Sequence, residues 1–371
     1  MLGKHICDLA PTEDNNRNSE GAFITLKNGD ILFIYTRYRG NGHGDECTAD
    51  LYGMISCDGG ESFGSPFPVL TCESVGADNI MSVSLLRMEN GDIGMFYLQK
   101  HNKELLCIPH FARSSDEGKT WTGHIKCVNY DGYYVLNNDR VIRLSCGRLV
   151  MPLAKHPFYK NQAGENVLGE GAVYIVASDD DGRTWHPLAE NIALPVSIWR
   201  DRAKGKAWSG SSAMEPGAVQ LENGLVWCYI RTTLGRQYEM ISCDDGASWS
   251  TPSPSRFTSP SSPLCAKRLR DGSLLAVWNP IPKYNGVPSV VDGVWTDGRK
   301  KLDFAILDKD AGEFLLSETL EYDEGSGFCY TAIHETSAGD ILLAYCAGGK
   351  GDKNCLSRLR IRKIYRKELA F

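Results

Sequence analysis

The sequence predicts an all-β protein, a six-bladed β-propeller of four-stranded antiparallel blades that takes up residues 1–371 as a single domain. Three observations carry that expectation. One hairpin pattern recurs six times, a second, aspartate-rich motif recurs between its copies, and no stretch reads as a long amphipathic helix.

The hairpins read LKNGDILFIYTR (26–37), MENGDIGMFYLQ (88–99), LSCGRLVMPLAK (144–155), LENGLVWCYIRT (221–232), LRDGSLLAVWNP (269–280) and TSAGDILLAYCA (336–347). Each joins a short strand to one rich in apolar and aromatic residues through a turn glycine: Gly29, Gly91, Gly147, Gly224, Gly272 or Gly339. Asn-Gly and Asp-Gly favour tight hairpins because such turns need positive φ. The apolar runs are near-continuous rather than alternating, as strands covered on both faces require.

The second motif is Ser-x-Asp-x-Gly-x-x-aromatic. It appears in SCDGGESF (56–63), SSDEGKTW (114–121), SDDDGRTW (178–185) and SCDDGASW (242–249), with a worn copy in DKDAGEF (308–314). A motif repeated at blade intervals is a structural turn: its aspartate bonds backbone amides and its tryptophan packs between blades. It lacks the distal bidentate glutamate of a calcium loop, so no metal is expected there. The C-terminal CLSRLRIRKIYR reads as a late strand of the last blade, and the N-terminal GKHICDLA closes the ring beside it.

Composition narrows the function. With 42% apolar residues the chain can bury a substantial core, and a net charge of −6 argues against a nucleic-acid or anionic-membrane partner. No apolar run is long enough to cross a membrane, and MLGKHICDLAPTED lacks the apolar core of a signal peptide; the expectation is a cytoplasmic protein. The 13 cysteines are scattered without CxxC pairs and read as reduced, buried thiols rather than a zinc site or disulfide framework. No cofactor is implied.

In an up-and-down blade the Asn-Gly turns and aspartate motifs share one face. The opposite face collects the starts of first strands and the ends of second strands, and functional residues belong there. Nine residues before each turn glycine stand Glu20, Ser82, Asn138, Glu215, Pro263 and Tyr330, so Glu215 and Tyr330 are expected to meet at the channel mouth. Arg37 and Arg231 end second strands, Asp45 and Arg299 lie beyond such ends, and Asp139 and Arg140 in NNDR join the rim. Several guanidinium groups beside a tyrosine and a glutamate suit a carboxylated ligand, since arginine forks grip carboxylate with paired charge-assisted bonds.

With these motifs the chain resembles the sialidase (neuraminidase) superfamily, whose repeats are called Asp boxes, over nearly its whole length. The resemblance implies a retaining exo-glycosidase that hydrolyses a terminal sialic acid, or a related 2-keto sugar acid, from an acidic mono- or oligosaccharide substrate. It implies Tyr330 as nucleophile, Glu215 as its proton acceptor, and Asp45 as acid/base with Asp50 in reserve. Arg231 and Arg299 would bind the substrate carboxylate, with either Arg17 or Arg37 as the third guanidinium. The family's Arg-Ile-Pro start of blade one is replaced by NNRNSEGAFITLKNG, and Asp139–Arg140 suggests a substrate contact outside the usual pattern. Two further readings therefore stand beside the first: a glycosidase or lyase on another acidic sugar, and a non-catalytic glycan-binding propeller.

Overall fold

The computed structural model describes residues 2–40, 42–160, 164, 166–195, 212–281, 290–291, 293–352 and 354–369. Apart from two short 3-10 turns, its regular elements are all β-strands. They follow the repeats. Unit one comprises Arg17–Thr25, Ile31–Tyr38, Ala49–Ser56 and Phe67–Leu70, antiparallel in that order. Unit two comprises Asn79–Arg87, Ile93–His101, Leu106–Ser114 and Thr122–Lys126. Unit three comprises Ile142–Arg143, Leu149–His156, Ala172–Ser178 and His186–Ile192, and unit four Met214–Gln220, Val226–Arg231, Arg236–Ser242 and Ser253–Thr258. Unit five comprises Cys265–Arg268, Leu274–Trp278, Lys301–Leu307 and Phe314–Tyr322. Unit six joins both ends of the chain: Cys329–Glu335, Ile341–Cys346 and Leu359–Ile364 are completed by Lys4–Leu9, antiparallel to Leu359–Ile364.

One detail departs from six separate sheets. Units two and three form a single nine-stranded sheet, because Tyr133–Val135 pairs antiparallel with Leu149–His156 and meets Cys107 of unit two in parallel. Two-stranded hairpins, Phe158–Lys160 with Asn166–Leu168 and Val290–Val291 with Val294–Trp295, stand outside the units.

The repeated motifs do repeated work. All six turn glycines hold φ between 85° and 93°, a region that side chains disfavour. In the 178–185 motif, Ser178 Oγ donates to Asp180 Oδ1 at 2.8 Å and accepts from the Gly182 amide at 2.8 Å. Asp180 also takes the Thr184 amide at 2.9 Å and its hydroxyl at 2.6 Å. Ser56–Asp58, Ser114–Asp116 and Ser242–Asp244 repeat this set, so the aspartate is spent on its own turn. In the worn copy Asp308 stands in the serine's place and accepts the Gly312 amide at 2.5 Å.

Cores lie between consecutive units. Ile24 and Ile34 of unit one pack with Leu85 and Met95 of unit two, and Phe96 and Phe111 of unit two with Leu149 and Met151 of unit three. Trp185 seals that second interface, its ring 5.8 Å from Phe96 and edge-on. Units three and four share a cluster with Ile175 and Cys228, four and five one with Trp227 and Leu274, five and six one with Val277 and Leu343. Unit six returns to unit one through Leu342, Ala344, Phe23 and Phe33. All thirteen cysteines carry free thiols, eight of them buried.

Candidate active site

First strands of four units share one irregularity. The pairing register slips between Ser19 and Ala22, Met81 and Ser84, Met214 and Gly217, and Cys329 and Ala332. Within the slips Glu20, Ser82, Glu215 and Tyr330 adopt φ of 54°, 62°, 41° and 56°. Such bulges re-aim a side chain, and a non-glycine residue held there costs about 1–3 kcal/mol. In unit three the left-handed residue is Asp139 (φ 55°), one position after the Asn138 that the repeat alignment marks. Unit five offers Pro263 at this place, whose ring fixes φ near −65° and forbids the bulge.

The bulges bring distant residues together. Tyr330 Oη donates to Glu215 Oε1 at 3.2 Å, and Arg231 Nη1 donates to the same oxygen at 2.6 Å and to Tyr330 Oη at 3.3 Å. Arg231 Nη2 donates to Ser261 Oγ at 3.1 Å and Arg299 Nη2 to Ser261 O at 2.9 Å, so one serine seats two guanidinium groups side by side. Arg299 also donates to Asp297 at 3.1 Å and to Cys329 Sγ at 3.2 Å, with its guanidinium 5.4 Å from the Tyr330 ring centroid. Asn279, of the Asn-Pro pair, holds the backbone on both sides: its amide donates to Lys301 O at 2.7 Å and Phe328 O at 2.8 Å. Burial, then the Glu215 charge, pushes the Tyr330 phenol well above its ordinary value, so the resting phenol is neutral.

A second cluster faces the first. Arg17 donates to Asp45 Oδ1 at 2.6 Å, to Glu20 Oε2 at 2.9 Å and to Ser19 Oγ at 3.0 Å, and lies 4.2 Å from the Tyr38 ring centroid. The Asp45 side chain is 54% exposed; desolvation by its neighbours works to raise its carboxyl, but Arg17 and Lys100 outweigh that and hold Asp45 below its ordinary value. Glu20 goes the other way. Its burial outweighs the pull of Arg17, Asp45 adds like charge, and its carboxyl is pushed up to about 7. Arg231 contributes to the lowering of Asp45 and Glu215 to the raising of Glu20, so the two clusters act as one electrostatic site. A cavity of about 30 Å³ lies among Glu20, Asp45, Lys100, Tyr133, Asn137 and Glu215.

The raised Glu20 carboxyl gives a testable pH dependence. Between the ordinary value of 4.5 and about 7 the folded protein keeps a proton that the unfolded chain has lost. Stability therefore falls as pH rises through that window, and stays lower above it. Glu20→Gln is expected to remove this term, so the variant's melting temperature should gain on wild type between about pH 5 and about pH 8. Thermal denaturation of both proteins checks it; a constant gap would contradict the assignment.

Four predicted site residues lie elsewhere. Thr36 and Tyr38 turn inward toward Glu20, so by strand alternation Arg37 faces the other side, 4.7 Å from the Tyr52 ring centroid in a groove with Asn15 and Asn18. Asp50 is buried and spent on the Cys72 amide (2.8 Å) and Arg39 Nε (2.9 Å). Asp50, Cys72 and Glu73 also form the one group among the described residues spaced to hold a metal, and the Arg39 guanidinium contacts all three. Asp139 is an internal pin: it accepts from Lys267 Nζ at 2.8 Å and the Ile333 amide at 2.9 Å, tying unit three to units five and six. Arg140 is buried, donates to Leu264 O at 2.6 Å and packs over Tyr229. Asn138 completes this pinned interior by donating to Gly21 O and Tyr330 O. Asp139 and Arg140 fasten the units, and neither lines the cavity.

Sequence reasoning passed over Lys100, Ser261, Asp297 and Cys329, and gave Glu20 no role. Two signals were present. Glu20 holds the position of Glu215 and Tyr330 in the repeat, and Lys100 sits near the end of a second strand, as Arg231 does.

This all-β arrangement with its repeated aspartate turns finds its place among known proteins. A family model for the BNR repeat-like domain matches residues 64–343, and the chain belongs to that family. No curated protein sequence matches it. Solved structures share the fold at low identity. A Dyadobacter fermentans protein of unknown function aligns over 98% of this chain and 99% of its own, with 17% identity and a TM-score of 0.68. The NanB sialidase of Streptococcus pneumoniae aligns over 100% of this chain and 71% of its own, at 13% identity and a TM-score of 0.69. The intramolecular trans-sialidase of Ruminococcus gnavus aligns over 100% and 99%, at 14% identity and a TM-score of 0.66. The fold is sialidase-like.

Proposed function

We propose that the six units close into a six-bladed propeller whose Tyr330 end is the active site of a retaining exo-glycosidase. Its substrate is the glycoside of a terminal sialic acid or a related 2-keto sugar acid. One observation carries the reading: Tyr330, Glu215 and Arg231, from two units, meet within 3.3 Å beside a second arginine. Membership of the BNR repeat-like family and the sialidase-like fold support it.

The chemistry follows from charge. A 2-keto sugar acid bears its carboxylate on the anomeric carbon, which repels a carboxylate nucleophile, whereas a neutral phenol approaches freely. Tyr330 Oη attacks that carbon as Glu215 takes the phenol proton. The bond to the leaving oxygen breaks as Asp45 supplies its proton. Water then attacks the sugar–tyrosine bond, gives its proton to Asp45, and Tyr330 recovers its own from Glu215. Two displacements return the original configuration.

Asp45 must be protonated for the first step, and Arg17 holds it ionised. A substrate carboxylate that takes up the Arg17 fork adds negative charge and draws the cation away, both of which raise Asp45. Binding thus arms the acid. Arg231 and Arg299, set by Ser261, complete the carboxylate grip.

The test is turnover of a panel of acidic-sugar glycosides, followed by proton NMR. The reading expects sialosides or their 2-keto relatives to be cleaved, with the retained anomer appearing first. Cleavage of uronic acid glycosides alone, or initial release of the inverted anomer, would overturn it.

A further inference from the structure

The hairpin of Phe158–Lys160 and Asn166–Leu168 leaves the third unit between its second and third strands, on the side of the candidate site. Phe158 pairs directly with Leu168, so both side chains share one face; Tyr159 pairs with Val167 and faces the other way. Phe158 and Leu168 are 40% and 37% exposed. Paired apolar side chains left in water beside a binding cavity mark a contact surface.

The site continues into this face without a break. Lys100 Nζ donates to Asp45 O at 2.8 Å and lies 5.5 Å from the Tyr133 ring centroid. Tyr133, a wall of the cavity, meets Phe158 edge-on with centroids 6.4 Å apart, and His156 at 6.1 Å. His156 Nδ1 bonds Gly169 O at 2.9 Å, fixing the hairpin's root. Asp45, Lys100, Tyr133 and Phe158 thus form one path outward from the proton donor.

We infer that Phe158 and Leu168, backed by Tyr133, form a stacking platform for a neutral sugar ring in the substrate's leaving group. The inference rests on the glycosidase reading, in which the leaving oxygen faces Asp45 and the leaving sugar extends outward from it. A pyranose presents an apolar face of C–H groups that packs on aromatic and aliphatic side chains, while its hydroxyls stay at the rim. Lys160 and Asn166, the pair at the outer end of the same face, supply donors for those hydroxyls. The platform favours an oligosaccharide over a simple glycoside.

The experiment compares kcat/KM for two glycosides of one sugar acid, a lactoside and a methyl glycoside. In a Phe158→Ala, Leu168→Ala double variant the lactoside-to-methyl ratio is expected to fall about tenfold, about 1.4 kcal/mol. Tyr159→Ala, on the opposite face, should leave the ratio unchanged. An unaltered ratio in the double variant, or an equal fall in Tyr159→Ala, overturns the platform. A change of oligomeric state on sedimentation, seen only in the double variant, also overturns it, because the face is then a subunit contact. If wild type cleaves neither glycoside, the glycosidase reading fails and the platform is judged by saturation-transfer NMR with lactose. Transfer lost in the double variant and kept in Tyr159→Ala supports it; no transfer to wild type refutes it.

Discussion

Tyr330→Phe is expected to lower kcat for a 2-keto sugar acid glycoside by at least about 10³-fold, with a much smaller change in KM. The substitution removes one oxygen and keeps the ring. Tyr330 is buried and lies beside Arg299, and those contacts survive. Glu215 keeps its shorter bond, the one from Arg231 at 2.6 Å, so the carboxylate is not left without a partner. The fold and the carboxylate grip therefore persist while the attacking atom is gone. Initial-rate kinetics, with a melting curve to confirm folding, check the expectation. Activity within about tenfold of wild type would mean that the phenol does not form the bond.

Arg231→Ala is expected to act on binding as well as on the chemical step. Arg231 touches Glu215, Tyr330 and Ser261 at once, so its loss leaves the largely buried Glu215 carboxylate without its cation. Truncating one partner of a buried, hydrogen-bonded charge pair costs about 2–5 kcal/mol, a loss in kcat/KM of roughly 30-fold to several thousand-fold. Arg231→Lys should recover little, because an ammonium cannot reach Glu215, Tyr330 and Ser261 with one planar fork. Inhibition by a carboxylated sugar separates the two effects: its affinity should fall for Arg231→Ala and hold for Tyr330→Phe.

Much of this was legible in the sequence because repetition turns weak signals into strong ones. A single Asn-Gly turn marks a hairpin and nothing more. Six glycine turns, three of them Asn-Gly, with four aspartate turns between, gave the strand order and the face on which to look, and the two chain ends duly share a sheet. Counting back from the turn glycines selected Glu215 and Tyr330, which the bulges bring within 3.2 Å. The same count failed where local chemistry intervened: Asp139, not Asn138, takes the left-handed conformation in unit three, and Pro263 prevents a bulge in unit five.

Charged residues were the harder class. Arg37 and Arg231 end second strands alike, but strand alternation turns the first away from the site. Asp139 and Arg140 read in sequence as ligands of a sugar and instead tie units together: the Asp139 carboxylate is taken up by Lys267 and the Ile333 amide, and Arg140 is buried with one bond to Leu264 O, and neither fact shows in the sequence. The opposition of Glu20 and Asp45 across Arg17 was out of reach, since it depends on how burial is shared between two carboxyls on one guanidinium.

The central claim is that Tyr330 bonds to the sugar. A 2,3-difluorinated sugar acid tests it: fluoride leaves readily from the anomeric carbon, while the remaining fluorine slows hydrolysis of the bond that forms. Peptide mapping of the treated protein by mass spectrometry is expected to find one sugar per chain, on the peptide containing Tyr330, and none on Tyr330→Phe. An adduct on Glu215, Asp45 or Glu20 instead, or turnover of the true substrate with no trapped adduct, would contradict the account.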